Sequence, residues 1–406
     1  MDDIPLPSPF LLDGTSNAAL RAKGAAKGDS PVTQMLAHPD ALLRQKQAFA
    51  AAGADALCVP TEEANRPRLS LFGLGDQTDR YNRALVSCVK QAAQGKWVVG
   101  LLSSTGLETP PRGDADVETL VTVYAEQARS LAQAGARLFL ADSMTNVAEA
   151  RAAILAVREQ TSLPILVSFA CDGAGRTETG GDILAALIIC QGMGAAGFGI
   201  GRFHGDLPEL SDQVERLALY SRAPLMVLPH LDISYNPWGP SALAAIAPAF
   251  AKAGVQIWGG GASAPHIAAL RAAIDAIDFC RFDKDDRWEE TDELPCASER
   301  EARFISPLID VGEPIFCSPH FVEDLLAAEG APAGATKIVL EEEDDLGIFA
   351  ANQYMIQEAL CLSSANPALL AQALRIYNGR AFYDGTNSLA PETLRPLVEK
   401  YGLIVL

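Results

Sequence analysis

The chain has 406 residues, 49% of them hydrophobic, and carries a formal net charge of −19. That length accommodates one large domain and a smaller one. The acidic balance excludes nucleic acid and anionic membrane as expected partners, since both need clustered lysine and arginine. No apolar run reaches bilayer-spanning length. Met1-Asp-Asp-Ile-Pro5 lacks the basic start and apolar core of a signal peptide, so the expected location is cytoplasmic. The eight cysteines form no Cys-x-x-Cys pair, and Cys58, Cys88, Cys190 and Cys280 sit in apolar runs, which reads as core thiols and not a disulfide framework.

Along the chain, short apolar runs ending in Gly, Asp, Ser or His alternate with alanine-rich amphipathic stretches. The runs cover 10–13, 54–61, 97–103, 137–142, 164–170, 197–201, 224–230 and 255–261. Between them, stretches such as 116–135 and 147–160 space Leu, Ala and Val at helical intervals. Strands that are continuously apolar belong to parallel sheets buried on both faces. About eight strand–helix units over this length predict an α/β fold, a (β/α)8 TIM barrel over 1–280 followed by a smaller α/β module. A doubly wound sheet would carry a glycine-rich loop after its first strand, and Leu11-Leu-Asp-Gly-Thr-Ser16 is not one. Gly197-Phe-Gly-Ile-Gly201 comes too late in the chain for a dinucleotide loop.

The texture changes after Phe279. Asp285, Asp286, Glu289, Glu290, Asp292 and Glu293 crowd together, so 281–314 reads as a solvated, charged linker. In 315–406 strands are expected at 337–340, 359–363 and 402–406, and helices at 367–376 and 391–401. This is too short for a second barrel and predicts a small open layer docked on the first domain.

Four segments carry a further signal by their order and spacing. They are Leu11-Leu-Asp-Gly14; Gly53-Ala-Asp-Ala56 followed by Thr61; Ser168-Phe169 with Gly175-Arg-Thr-Glu-Thr-Gly180; and Val255-Gln-Ile-Trp-Gly-Gly-Gly261 followed by Pro265-His-Ile267. Through them, roughly residues 8 to 275 resemble the homocysteine S-methyltransferase family, most closely the version at the front of cobalamin-dependent methionine synthase. Leu362-Ser-Ser364, Ala373-Leu-Arg-Ile-Tyr-Asn-Gly-Arg-Ala381 and Asp384-Gly-Thr-Asn387 resemble the early strands of the folate-binding barrel that follows there. Only that beginning is present. The cobalamin-anchoring pattern Asp-x-His-x-x-Gly is not found, so any corrinoid would sit on a separate protein.

The resemblance implies a thiol made nucleophilic by zinc, with three protein cysteines as ligands and a fourth position open for substrate. Here the corresponding positions hold Arg202 after the sixth strand, and Gly261 and Ala262 after the eighth. A guanidinium does not coordinate a metal, and its charge repels one. No cofactor is therefore expected unless zinc is held by a rebuilt set, Cys171, His204 and His230, from the ends of the fifth, sixth and seventh strands. Without a metal, His204 belongs to a solvent-facing loop and His230 to the rim. His266 opens a helix, and His38 and His320 read as surface residues.

A polar pocket is the other expectation. By resemblance, Asp13 beside Gly14 lies near the substrate amino group, and Asp142 stands where the family usually has Glu. With Ser168 and the planar fork of Arg202, these residues suit a small zwitterionic ligand. His204 or His230 would serve as base. The structural alternative is that the two carboxylates cap helices and Arg202 neutralises them. The resemblance thus implies a methyltransferase-like enzyme of one-carbon or amino-acid metabolism, acting without the usual zinc site. The competing reading is a non-catalytic ligand-binding or assembly partner of a corrinoid methyltransferase system.

Overall fold

The apolar runs become eight parallel strands: β1 Phe10–Leu11, β2 Ala56–Val59, β3 Trp97–Leu102, β4 Leu138–Met144, β5 Ile165–Asp172, β6 Gly197–His204, β7 Leu225–Val227 and β8 Val255–Trp258. This computed structural model describes residues 6–14, 29–229, 239–261, 263–279, 292–328 and 334–406. Each strand pairs with its sequence neighbour, and β1 pairs with β8. The bridge between Leu12 and Ala56, with Asp13 N–H donating to Ala56 O at 3.0 Å, closes the circle between β1 and β2. The fold is a (β/α)8 barrel, as the strand–helix alternation predicts.

Alternation along each strand fills two separate cores. Phe10, Leu12, Cys58, Leu101, Leu140, Leu166, Met226 and Ile257 pack together inside the barrel. Leu11, Val59, Phe139, Val167 and Phe198 belong to the outer core beneath the helices. On β6 the inward positions are glycines. A Cβ at Gly197 would stand 2.8 Å from Leu166 Cδ2 and 3.0 Å from Ile257 Cδ1, because neighbouring strands already fill the interior.

The helices start where side chains can satisfy free N–H groups. Asp116, Asn146, Asp182 and Asp206 each accept a backbone N–H at the start of the helices Val117–Ala134, Val147–Gln160, Ile183–Gly192 and Leu207–Ala218. Two of these helices are apolar nearly all round. Ile183 to Cys190 is wholly buried, as is Val147 to Val157, which an ordinary barrel helix with a wet outer face would not be. Both are covered from outside by the rest of the chain.

That cover corrects part of the linker expectation. Within 292–305, strands β9 Leu294–Ala297 and β10 Ala302–Ile305 form an antiparallel hairpin. Pro295, Cys296 and Ala297 are buried, Ala297 in the core shared with Ile183–Gly192 and Cys296 in a cluster with Ala335, Cys361 and Phe382 of the following module. The surrounding acidic residues mask this short apolar run in the sequence. Beyond it, β11 Ile315–Phe316, β12 Ala335–Val339, β13 Ala359–Ser363, β14 Phe382–Tyr383 and β15 Ile404–Val405 form a parallel sheet in sequence order. Helices Phe321–Ala328, Asp345–Asn352, Pro367–Ile376 and Pro391–Tyr401 connect them. Among the described residues no helix is long and apolar enough to cross a membrane.

Candidate functional site at the carboxyl-terminal rim

Ligand sites in such barrels form where the carboxyl ends of the strands meet. Here β4, β5 and β6 extend past the positions their apolar runs suggested, and their pairing shifts register there. One shift lies between Ala141 and Met144, the other between Phe169 and Cys171. Irregularities of this kind re-aim side chains next to functional sites. Ser143 adopts a left-handed backbone, with φ of 52°.

These irregularities join the polar groups into one network. Ser168 Oγ–H donates to Asp142 Oδ1 at 2.8 Å and accepts from Ser143 N–H at 2.8 Å. Ser143 Oγ–H reaches the same Asp142 oxygen at 3.3 Å and accepts from Arg202 N–H at 3.0 Å. Asp142 and Ser168 are buried, whereas the side chain of Arg202 is exposed and makes no hydrogen bond or ion pair within the described residues. A Cβ at Gly201 would lie 2.5 Å from Ser143 Oγ and 2.7 Å from Ser168 Oγ, so only glycine leaves the network intact. The structure thus brings together Asp142, Ser168 and Arg202. Ser143 and Gly201 were not singled out from the sequence, and both depend on the local irregularity of the strands.

Asp13, just past the end of β1, is bonded to other partners. It is fully buried, accepts from Lys46 Nζ at 2.7 Å and from Cys58 N–H at 2.8 Å, and so has both oxygens engaged by the protein. Burial pushes its carboxyl up, and Lys46 and the Cys58 amide pull against that rise. Lys46 was missed, although Leu42, Lys46 and Phe49 share one helical face, and that spacing marks Lys46 as buried. Gly14 is buried with its Cα pressed against the carbonyl of Gly261, so no side chain fits between β1 and the turn after β8.

Of the metal-ligating candidates, two fall on described strands. Cys171 and His204 lie on β5 and β6 themselves, not in loops past them, and pair in register with Phe203 and Asp172. Cys171 belongs to the outer core with Phe203, and burial with Asp172 and Asp182 nearby pushes its thiol up to about 12. His204 is exposed on the rim. His230 and Ala262 lie outside the described residues. At Gly261 a Cβ would stand 2.8 Å from His266 Cβ and 3.1 Å from Ile267 Cδ1, leaving no room for a cysteine unless the helix Ala264–Asp275 shifts. Among the described residues no three His, Cys, Asp or Glu side chains form a metal-binding group. His266 bonds Ser263 at 2.8 Å, His320 bonds Glu323 at 2.8 Å, and His38 is exposed between two helices.

Comparison with known proteins agrees with this architecture. A sequence profile of homocysteine S-methyltransferase matches residues 10–274. Methionine synthase of Mycobacterium tuberculosis is 23% identical over 261 residues, 59% of this chain and 22% of that protein. Methionine synthase of Mycobacterium leprae is 24% identical over 258 residues, 58% of this chain and 21% of that protein. The chain spans about a fifth of the length of these relatives. The homocysteine methyltransferase MmuM of Escherichia coli superposes with a TM-score of 0.57 in its oxidized form, at 20% identity, covering 65% of this chain and 95% of that one. Its metallated form gives 0.56 at 21% identity, covering 66% and 96%. At such identity the superposition shows a shared fold.

Proposed function

The chain belongs to the homocysteine S-methyltransferase family, and on that premise we propose that its barrel transfers a methyl group to a small, zwitterionic, homocysteine-like acceptor without a zinc ion. The observation that supports this most is the network of Asp142, Ser143, Ser168 and Arg202 at the rim of β4, β5 and β6. Asp142 takes the acceptor's ammonium group, Ser168 fixes that carboxylate, and the Arg202 fork takes the acceptor's carboxylate. Asp13, engaged by Lys46 and Cys58, holds β1 and β2 to the helix Pro39–Ala51, and Gly14 keeps the wall beside them thin.

Without a metal to stabilise a thiolate, the proton must leave by another route. His204 on β6, or His230 beyond β7, accepts the S–H proton as a sulfur lone pair bonds the methyl carbon. The bond from that methyl to its donor breaks, and its electron pair leaves with the donor, an onium compound or a corrinoid on a separate protein. Calorimetric titration of homocysteine into chelator-treated protein tests the binding step. Arg202→Ala and Asp142→Asn are each expected to weaken binding about tenfold or more, since a hydrogen bond to a charged group contributes roughly 1.5–3 kcal/mol. Unchanged affinity in both variants, or binding that appears only with added zinc, would overturn the proposal.

One observation favours a second reading. His204 is exposed, so a base there is not screened from water as catalytic groups generally are. In that reading the barrel retains the ligand and performs no transfer, acting as a binding or assembly partner in a corrinoid methyltransferase system. Homocysteine binding that persists while no methyl donor is turned over would select it.

A further inference from the structure

Between the barrel and the carboxyl-terminal module lies a cleft of about 360 Å³, away from the rim network. Its barrel wall is the end of the loop after β3, the first turn of Val117–Ala134, and Ala148. Its other wall is the helix Asp345–Asn352 together with Tyr354 and one face of Pro367–Ile376. Binding sites occur preferentially at such domain interfaces.

Both walls are fixed in advance. On the barrel side, Thr105 donates its N–H and Oγ–H to Glu149 Oε1 at 2.6 and 2.5 Å, and Tyr124 OH approaches the same oxygen at 3.3 Å. Opposite, Gln353 donates to Ile376 O at 3.0 Å and accepts from Asn378 N–H at 2.8 Å. A ligand entering a preorganised cleft loses little affinity to ordering the protein.

The lining specifies what would fit. Val117, Leu120, Ala148, Leu346, Ala350 and Ile376 make it largely aliphatic, and Tyr354 supplies the one aromatic ring. The charged groups are already committed. Arg375 is clasped by Glu118 and Glu159, and Asp116 accepts from Thr119 N–H at 2.7 Å as a helix cap. The polar groups left over are neutral: the hydroxyls of Thr109 and Tyr354 and the amide of Gln372 make no hydrogen bond within the described residues. We propose that this cleft binds a flat, uncharged, ring-bearing small molecule with an amide-type hydrogen-bonding edge, seated across the two modules. A ligand so placed contacts both and raises the stability of their docked arrangement by mass action.

Benzamide, benzamidine and benzoate share a ring and a shape and differ in charge, so saturation-transfer NMR with the full chain discriminates among them. Benzamide is expected to bind, and the two ions to bind about tenfold more weakly, because each would lose hydration without gaining an uncommitted partner. Gly347 lines the cleft, and a Cβ added there meets nothing within 4 Å. Gly347→Phe is therefore tolerated by the helix and, with its ring laid over the cleft, should abolish benzamide binding while the melting temperature is retained. Ala350→Leu, on the same helix, tests the same occupancy should Gly347→Phe lose its fold. No benzamide binding to the wild type, tighter binding of either ion, or benzamide binding that survives a folded cleft-filling variant would overturn the proposal.

Discussion

Two glycines shape the rim as much as the polar residues do. Gly201 leaves the space in which Ser143, Ser168 and Asp142 meet, and Gly261 lies where His266 and Ile267 leave room for nothing larger. Gly261→Cys, which restores the cysteine that the family resemblance implies there, is expected to lower stability by about 1–3 kcal/mol through overpacking. Urea unfolding reads that loss, and metal analysis of the variant should find no zinc. Wild-type stability with stoichiometric zinc would contradict it. The sequence makes Asp142, Ser168 and Arg202 legible, because each stands near the end of an apolar run and those ends share one rim. It does not make Ser143 legible, since its role comes from a positive φ and a register shift that no residue pattern announces. Lys46 is legible as a lysine on the apolar face of an otherwise ordinary helix. With Lys46 in place, Asp13 binds a cation that belongs to the protein itself.

Among the elements, the eight barrel strands follow from continuous apolar runs, and the helices Val147–Gln160, Pro367–Ile376 and Pro391–Tyr401 from helical spacing of their apolar residues. The reading breaks down where an element is short or its surroundings are charged. The hairpin β9–β10 is hidden in acidic sequence, and β11 has two residues. The helix Asp345–Asn352 begins inside the acidic run Glu341-Glu-Glu-Asp-Asp345, whose charge masks its start. Asp345 accepts the N–H groups of Glu341 and Glu342 at 2.7 and 3.0 Å, so part of that run orders the approach to the helix. In the module's sheet, Lys337 Nζ on β12 donates to Asp384 Oδ2 at 2.5 Å and to Thr386 Oγ1 at 2.7 Å. Burial alone would raise the Asp384 carboxyl, but its bonds with Lys337 and Thr386 outweigh that and hold it below the usual range. A depressed folded pKa contributes stability above the unfolded value, about 3.9, and loses it as pH falls through the folded value. Asp384→Asn should therefore be less stable than wild type at neutral pH, with the difference shrinking as the solution is acidified through that window. Urea midpoints measured against pH check this, and a constant difference would contradict it.

The whole molecule is held together by apolar contacts that run without interruption from the barrel's outer layer into the second module. Arg151 crosses the junction while almost fully buried, donating to Gly379 O at 3.0 Å and Leu374 O at 2.8 Å. Burial pushes its guanidinium down to about 10, and it remains protonated at neutral pH. Arg158 adds a bond to Glu399 O at 2.8 Å. Modules joined in this way should unfold together. Arg151→Ala strands two carbonyls and is expected to lower stability by about 3 kcal/mol or more. In calorimetry the wild type should show one transition and the variant an earlier or divided one; an unshifted transition would mean that the junction contributes little.

In the proposed function the acceptor is recognised by its ammonium and carboxylate groups and not by its sulfur. Titration of chelator-treated protein with homocysteine and with homoserine, which replaces the thiol by a hydroxyl, tests this most directly. The two affinities are predicted to agree within about threefold, under 1 kcal/mol, because the proposed roles of Asp142, Ser168 and Arg202 involve only groups that both molecules carry. A preference for homocysteine of about 100-fold, roughly 2.7 kcal/mol, would mean that the site recognises the thiol and would contradict the account.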